Sequence, residues 1–447
     1  MIAIYYIACV LIALSLCTLA FNNQDKFTFL AAFLLPFQGI GVEIGVLLNF
    51  EKIIAVLFVV TALMFYRART ARQTWFYAFA VLLGYMFTLT LIMFVGGGLD
   101  LQINHAMNAG WGTAQTTFRL PVQIASQGFT WMLLPTACLL AIRPSCVIYG
   151  FVWGNVCNAL FGFYQVLAAV FGLPWLPEEI LTKLSGENGG QFQVQHTDLF
   201  RLSGLAGEPK HAAAAFVFAI LILMWFPVEG KKWKISVLGV ALVLTLSTSG
   251  WVAFFVAFAL TMLYRKKMVP FLVAGTLLLV IGVGYVVSDQ VNFIVNDRVL
   301  LRLADPSSFE YKDSAILDVA REDPEILITG VGAGGIDFYL MRWVREDQLE
   351  RGSVSPTYIG TEILGDYGLI GIVLFGFLLY KIGGQFDPNM RAFYVATIPV
   401  LVLLPRGVSL PAVLLLWGSL LAWNRPQLQS AFEAPGGSRQ RVARTTA

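Results

Sequence analysis

Charged residues are scarce in this sequence of 447 residues: they make up 13% of it, whereas hydrophobic residues make up 57%. A soluble domain carries about 25% charged residues. The composition therefore excludes a soluble globular protein and predicts one that crosses a membrane many times. We expect no cleavable signal peptide, because the apolar start at residues 1–20 lacks a basic segment and leads directly into further apolar stretches.

Residues that bind metals or form disulfides are also few. The chain has three histidines and five cysteines, and none of these cysteines forms a CxxC pair or stands at metal-ligand spacing from a histidine. Because the cysteines fall in or beside apolar stretches, we interpret them as small packing residues. The sequence thus predicts no metal, no cofactor and no disulfide framework. The cysteines are Cys9, Cys17, Cys138, Cys146 and Cys157.

Long apolar runs dominate the chain instead. A helix needs roughly 17–25 apolar residues to span a bilayer, and runs of this kind recur from the first residues almost to the end. They predict an all-α polytopic membrane protein with about 12 to 14 transmembrane helices. The predicted spans are 2–20, 27–50 (interrupted at 36–39), 53–66, 75–95, 122–142, 146–171, 212–226, 235–246, 251–264, 269–287, 358–382, 393–404 and 408–423.

Lysine and arginine collect in some of the short connections, which by the positive-inside rule face the cytoplasm. Segments 96–121, 172–210 and 288–356 then become outer loops. The N-terminus has two alternatives: Met1 lies outside if residues 27–50 form one span, and inside if they form two half-spans. The basic residues are Arg67, Arg69, Arg72, Arg143, Lys231, Lys232, Lys234, Arg265, Lys266, Lys267, Lys381 and Arg391.

These spans and loops divide the chain into four parts. We predict a transmembrane bundle over residues 1–287, a large outer loop over 288–356, C-terminal transmembrane helices over 357–424, and a disordered polar tail over 425–447. Within the large loop, the glycine-rich residues 330–335 do not match the GxxxxGK[ST] phosphate loop. A turn that returns the chain to the membrane is the favoured interpretation.

Residues 200–211 close a polar loop and open the apolar helix predicted over 212–226. Pro209 suits the first turn of a helix, where a missing N–H is no loss. Glu208 then lies at the helix N-terminus, where the helix dipole favours a negative group. A capped helix start is one interpretation; a functional site is the other, because charge at a bilayer boundary is costly unless it has a task.

Polar and charged groups gather on the predicted outer face. Arginine is a planar, multi-donor ligand suited to a diphosphate, and a carboxylate could take the proton of a sugar hydroxyl that attacks an anomeric carbon. Taken singly, each group could equally be a solvated loop charge. The group comprises Arg119, His196, Arg201, Glu208, Lys210, Arg298, Arg302, Lys312, Asp313 and Arg321.

Glu362 and Asp366 lie four residues apart in a predicted span and so share one helical face. Carboxylates within a span usually face a cavity. The alternative is that residues 366–368 form a bend in the helix that carries no chemistry.

Four segments together resemble a known family, the O-antigen ligases and Wzy-type O-antigen and exopolysaccharide polymerases. They match the family in order and spacing. The segments are the aromatic-Gln motif at 161–165 (FGFYQ); R-L-S-G-L-A-G-E-P at 201–209, similar to "R-x-x-G-x-x-x-E/x-P"; L-T-L-S-T-S-G at 244–250, similar to "LTLSRSG"; and D-P-S-S at 305–308 through G-V-G at 330–332, followed by 355–358 and 368–371.

The sequence departs from the patterns of this family in several places, and the first concerns its ligases. They carry a histidine in an "H-N-x-Y-L" pattern at the start of the late span, where this chain reads S-P-T-Y-I at 355–359. The arginine often found after "S-S" is replaced by Tyr311 and Lys312, and that of "SRSG" by Thr248. The resemblance therefore favours a polymerase over a ligase.

The resemblance implies a glycosyltransferase-C-like fold in a bacterial inner membrane, with a partly helical periplasmic loop. It implies a metal-independent glycosyltransferase that moves a glycan from undecaprenyl diphosphate to a lipid-linked repeat unit. Membrane lipids and assembly proteins such as a chain-length regulator, and no nucleic acid, would be its partners. Glu208 and Arg201 would be catalytic, and the substrate ligands would be Arg201, Lys210, His211, Arg302, Lys312 and Tyr358.

Three alternatives stay open. The first is a ligase that joins a glycan to a lipid or protein acceptor. The second is a transporter or flippase of lipid-linked sugars, which would need paired broken helices at mid-membrane and no large capping loop. The third is a structural subunit of a secretion complex, which leaves the outer arginines unexplained.

Overall fold

The structure, a computed structural model, describes residues 2–43, 47–65, 74–95, 113–173, 201–265, 316, 321, 324–340 and 358–423. Within these ranges the chain is almost entirely helical, with one short antiparallel hairpin. In chain order the elements are α1 (Ile2–Asn22), α2 (Gln24–Leu34), β1 (Gly41–Glu43), β2 (Leu47–Asn49), α3 (Phe50–Phe65), α4 (Thr74–Val95), α5 (Thr113–Leu139), α6 (Pro144–Phe171), α7 (Pro209–Trp225), α8 (Lys231–Leu244), α9 (Thr248–Arg265), α10 (Pro324–Thr329), α11 (Gly335–Leu340), α12 (Ile359–Gln385), α13 (Pro388–Leu403) and α14 (Arg406–Ala422).

Several predictions concern parts of the chain outside these ranges. They include the span at 269–287, most of the outer loops and the tail at 425–447. Two predicted ligands, Arg302 and Lys312, lie there as well.

The described residues form an all-α membrane protein. Five of their helices are long and apolar enough to cross a bilayer. Large apolar side chains stay exposed on the bundle surface, among them Val95 (81% exposed) and Tyr380 (75%), as expected where lipid replaces water. These candidate crossing segments are Tyr5–Asn22, Thr74–Met93, Pro144–Phe171, Thr248–Arg265 and Ile359–Gln385.

Helix α7 lies at the centre of the bundle. Every side chain from Ala212 to Leu223 is buried, and α6, α8, α9, α13 and α14 all pack against it. A helix that is apolar on all sides belongs in such a place. Since α7 begins at Pro209, the loop before it is anchored to the middle of the bundle.

Basic residues mark one end of the bundle. Arg143, the N-cap of α6, forms an ion pair with Asp25 in the first turn of α2, with Nη1 and Oδ2 2.8 Å apart. Arg265, the last residue of α9, donates from Nη2 to a carbonyl near the end of α7 at 2.8 Å. Lys234 in the first turn of α8 lies over a tryptophan ring of α6. We call this the basic end, and the opposite end, where α7 begins, the loop end.

The predicted interruption at 36–39 ends α2 and leads into the β1–β2 hairpin, so residues 27–50 are not one continuous helix. Pro36, Gly39 and Gly41 explain the break, since proline and glycine are poor in a helix interior. The chain nevertheless crosses the bundle once here, because α2 starts at the basic end and α3 starts at the loop end. The rings of Phe21 and Phe65 lie 6.4 Å apart, which places the ends of α1 and α3 together. Helix α1 therefore begins at the loop end.

Helix α5 begins earlier than the predicted span at 122–142. It starts at Thr113 and continues through Pro121, so the last part of the outer loop predicted at 96–121 is helical. Proline is tolerated inside membrane helices because neighbouring groups can satisfy the backbone that it frees.

Two glycines allow α2 and α6 to pack closely. A Cβ atom at Gly150 would overlap the carbonyl oxygen of Phe29, and one at Gly154 would overlap that of Phe33. Both partners advance by four residues, so the two helices run parallel. This small-xxx-small spacing is typical of close helix contacts in membranes.

We expect Gly154→Ala to lower the stability of the bundle by about 1–3 kcal/mol, because the new methyl group would press on the backbone of α2. Thermal unfolding of the protein in detergent measures this change. Gly376→Ala in α12 is the matched control, since a Cβ atom there meets no described atom within 4 Å and alanine is the better helix former by about 1 kcal/mol. Equal unfolding midpoints for the two variants would contradict the packing.

Candidate functional site

Residues 201–208 form a tight loop at the loop end, directly before α7. Two glycines allow its turns: Gly204 has φ +58° and Gly207 has φ +83°, values that residues with a side chain rarely adopt. A Cβ atom at Gly204 would also overlap the side chain of Asn158 on α6. The loop is therefore folded closely onto that helix.

Two buried amide side chains of α6 hold the loop backbone. Gln165 Oε1 accepts hydrogen bonds from the N–H groups of Ser203 at 3.1 Å and Gly204 at 2.9 Å. Asn158 Oδ1 accepts one from the N–H group of Leu205 at 2.7 Å. Gln165 is 2% exposed and Asn158 is fully buried. Buried backbone groups need such partners, so these side chains determine the loop conformation.

The turn between α8 and α9 supports the start of the loop. The N–H group of Leu202 donates to the carbonyl oxygen of Leu244 at 3.0 Å. Arg201 Nε donates to the carbonyl oxygen of Thr245 at 3.1 Å, which fixes the base of a partly buried guanidinium group. Three of the segments that carry the family resemblance, at 161–165, 201–209 and 244–250, thus meet in one cluster.

The break after α2 supports the loop from the other side. The N–H group of Gly39 donates to the carbonyl oxygen of Leu205 at 3.0 Å. A Cβ atom at Gly39 would lie 2.8 Å from the backbone of Gly207, so the two glycines are packed backbone to backbone. The neighbouring Gln38 donates from Nε2 to Glu51 Oε2 in the first turn of α3 at 3.0 Å.

Glu208 occupies the N-cap position of α7, as the sequence predicts, but it does not act as a cap. Among the described N–H groups of the first turn, none donates to its side chain, whereas the caps Asn23 and Asp387 do accept such bonds. The Glu208 carboxylate instead pairs with Lys210, with Nζ and Oε2 3.2 Å apart. Both side chains are about one quarter exposed, so the pair borders accessible space. His211 follows in the same turn and is half-buried.

Two further carboxylates contact neighbouring positions of α5. Glu51 Oε1 lies 3.5 Å from Thr130 Oγ1, and Gln127 Nε2 donates to Glu362 Oε1 at 2.5 Å. Thr130 and Gln127 are three residues apart and lie on one face of α5. Sequence reasoning missed Glu51; the signal that could have found it is an acidic residue at the edge of an apolar run.

Asp366 is fully buried, and its carboxylate has hydrogen-bond partners different from those of Glu362. Its carboxylate accepts hydrogen bonds from the N–H groups of Gly334 at 2.9 Å and Ile336 at 3.1 Å. The turn predicted at 330–335 is present, with positive φ angles at Gly330, Gly332 and Gly334. Asp366 therefore fastens this turn to α12.

Helix α12 is broken at Gly368, where φ is 64° and ψ is −168°, so the bend expected at 366–368 is present. Backbone groups freed by the break find partners outside the helix. The carbonyl oxygen of Asp366 accepts from the N–H group of Gly332 at 2.7 Å, and that of Tyr367 accepts from the Tyr85 hydroxyl of α4 at 3.1 Å. The glycine turn at 330–335 thus supplies a hydrogen-bond donor to the broken part of α12, and we interpret this contact as structural.

The remaining predicted ligands divide between described and undescribed parts of the chain. Tyr358 is the N-cap of α12 and pairs with Pro405, the residue before α14, in an isolated β-bridge. Arg302 and Lys312 lie outside the described residues. In the part of the chain that the structure describes, no three His, Cys, Asp or Glu side chains gather as metal ligands would.

Comparison of the sequence with protein-family models gives no match, and comparison with curated proteins gives no significant one.

We expect Gln165→Leu to loosen the loop, because the N–H groups of Ser203 and Gly204 lose a buried acceptor, a loss of about 1–3 kcal/mol. Hydrogen–deuterium exchange of residues 201–208 should speed up. Gln385→Leu is the control, since Gln385 is exposed and bonds only a side chain among the described residues, Thr74. Unchanged exchange in Gln165→Leu would show that this glutamine does not hold the loop.

Proposed function

We propose that this protein is a polysaccharide polymerase, a metal-independent glycosyltransferase that elongates lipid-linked glycans. The observation that carries the proposal is the fixed position of Arg201 and Glu208 on the loop 201–208, beside Lys210 in the first turn of α7. Buried side chains of α6 hold this loop, and it opens the central helix of an apolar bundle. Two cationic side chains and a carboxylate, held at the loop end of the bundle, suit a substrate with a diphosphate head and a membrane-embedded tail.

The proposed reaction uses these groups as follows. A hydroxyl oxygen of the acceptor sugar attacks the anomeric carbon of the donor, and the bond from that carbon to the phosphate oxygen breaks. The hydroxyl proton passes to the Glu208 carboxylate, and undecaprenyl diphosphate leaves with the bond electrons. Arg201 and Lys210 stabilise the negative charge that develops on the leaving group.

The finer architecture belongs to the same proposal. With the basic end in the cytoplasm, the loop end faces the periplasm of a bacterial inner membrane. The bundle would then have about 12 to 14 crossings and a glycosyltransferase-C-like fold, with residues 288–356 as a periplasmic loop. Arg302, Lys312, His211 and Tyr358 would supply further substrate contacts.

A transporter of lipid-linked sugars is the second candidate, and the break of α12 at Gly368 is the observation that favours it. A transporter needs its broken helices to line a moving site. Here the break is closed by the glycine turn and by Asp366, an arrangement that suits a fixed scaffold. Transfer of labelled lipid-linked sugar across a vesicle membrane, without chain elongation, would establish the transporter instead.

We expect purified protein with undecaprenyl-diphosphate oligosaccharide, and without divalent metal, to produce a ladder of longer lipid-linked glycans. Arg201→Ala should reduce elongation by at least about 100-fold, because it removes a donor group to the developing charge. Arg201→Lys should keep part of the activity, since it retains the charge but not the planar donor geometry. Product length on a gel is the measurement.

Arg265→Ala is the matched control for Arg201. Its guanidinium group also donates to a backbone carbonyl, but at the basic end, about 27 Å away along the 18-residue helix α9. Comparable loss of elongation in both variants would mean that losing a partly buried arginine damages the fold. It would remove the support for a diphosphate site at Arg201.

We expect Glu208→Gln to lower the single-turnover transfer rate by about 10²–10⁴-fold, because the amide cannot accept the proton. Donor binding, measured separately with labelled lipid, should stay within a few-fold of the native protein. Glu229→Gln, which changes an exposed carboxylate at the basic end, should have no effect on either quantity. A native transfer rate in Glu208→Gln would rule out this residue as the base.

A further inference from the structure

We infer that Glu51 is a positioning residue for the loop that carries Glu208, acting through Gln38 and Gly39. The inference rests on the proposed function for its catalytic consequence. Its structural part, the coupling of Glu51 to the loop, stands on the geometry alone.

The first step is the attachment of the chain break to α3. Glu51 Oε2 accepts a hydrogen bond from Gln38 Nε2 at 3.0 Å, and its other oxygen faces Thr130 Oγ1 of α5 at 3.5 Å. Hydrogen bonds to an ionised carboxylate are about twice as strong as neutral ones. Glu51 thus holds the irregular segment between α2 and the hairpin, whose local backbone bonds include the turn contacts of Phe37 with Leu34 at 2.9 Å and of Ile40 with Phe37 at 3.1 Å.

The second step leads from the break to the loop. Gly39, next to Gln38, donates to the carbonyl oxygen of Leu205 and lies against Gly207 with no room for a side chain. Gly207 directly precedes Glu208 and has φ +83°. A shift of Gly39 must therefore move Gly207 and, with it, the carboxylate of Glu208.

A simpler role for Glu51 is that of an acidic residue in the first turn of a helix, where the dipole favours it. Asp25 holds the same position in α2, but at the basic end, paired with Arg143. The two residues therefore separate the explanations. If interaction with the helix dipole were the whole role of Glu51, replacing either Glu51 or Asp25 would change only the stability of the protein. If Glu51 positions the loop, only its replacement should affect Glu208.

The experiment uses the full-length protein and the variants Glu51→Gln, Glu51→Leu and Asp25→Asn. We expect hydrogen–deuterium exchange in residues 205–210 to rise in both Glu51 variants, more in Glu51→Leu, and to stay native in Asp25→Asn. The elongation turnover of Glu51→Leu should fall at least tenfold with little change in donor binding, because small displacements of catalytic groups have large effects. Native exchange in Glu51→Leu would overturn the inference.

A double-mutant cycle tests the route through Gln38. Gln38→Leu should speed exchange in residues 205–210 as Glu51→Leu does. In the double variant, exchange of these residues should be no faster than in either single variant. Additive effects would mean that Glu51 does not act through Gln38. Hydrogen–deuterium exchange can be measured in a protein without activity. Absence of elongation by the native protein would therefore refute the proposed function, and the exchange data would still test the coupling of Glu51 to the loop. Normal elongation in Glu51→Leu with fast loop exchange would refute only the catalytic consequence.

Discussion

The satisfaction of backbone hydrogen bonds inside an apolar bundle is the constraint on which this structure depends. Helices meet it largely by themselves, but irregular segments of the described chain such as residues 36–39, 201–208 and 330–335 do not. Each is supplied with partners by polar side chains or by another irregular segment, chiefly Gln165 and Asn158 for the second and Asp366 for the third. Because an unpaired polar group costs several kcal/mol in such surroundings, these few side chains decide where the chain can leave helical geometry.

This constraint also explains why charges can be held accurately at the loop end. Between Arg201 and Glu208, the N–H groups of Ser203, Gly204 and Leu205 are bonded to buried side chains of α6, which restrains the backbone of the loop. The loop is joined to α7, which is buried on every side. If the loop binds the proposed substrate, such a support would hold its charged groups in place, which is the preorganisation that electrostatic catalysis requires.

The sequence predicts the helices well and their partners poorly, for physical reasons. Hydrophobic length alone gives α4 and α6 to within two residues, as 75–95 against Thr74–Val95 and 146–171 against Pro144–Phe171. The sequence also marks residues 201–209 as a candidate site, because charge beside an apolar run is unusual. It does not reveal that Gln165 bonds Ser203, since these residues are 38 positions apart and hydrophobic periodicity carries no information about polar partners. The sequence left two interpretations open for Glu208; among the described N–H groups of the first turn none bonds its side chain, and its carboxylate lies 3.2 Å from Nζ of Lys210 instead.

The turn between α8 and α9 shows how geometry qualifies a motif. The family pattern has an arginine in this turn where the chain has Thr248, which by sequence alone weakens the case for an anion site. Yet the guanidinium of Arg201 is bonded to the carbonyl oxygen of Thr245 in the same turn, so a cation is present there from the neighbouring loop. If the protein binds a diphosphate, Arg201 therefore has to supply the positive charge for both the loop at 201–209 and the turn at 244–250. Its replacement should then be more damaging than the loss of one of several arginines would be.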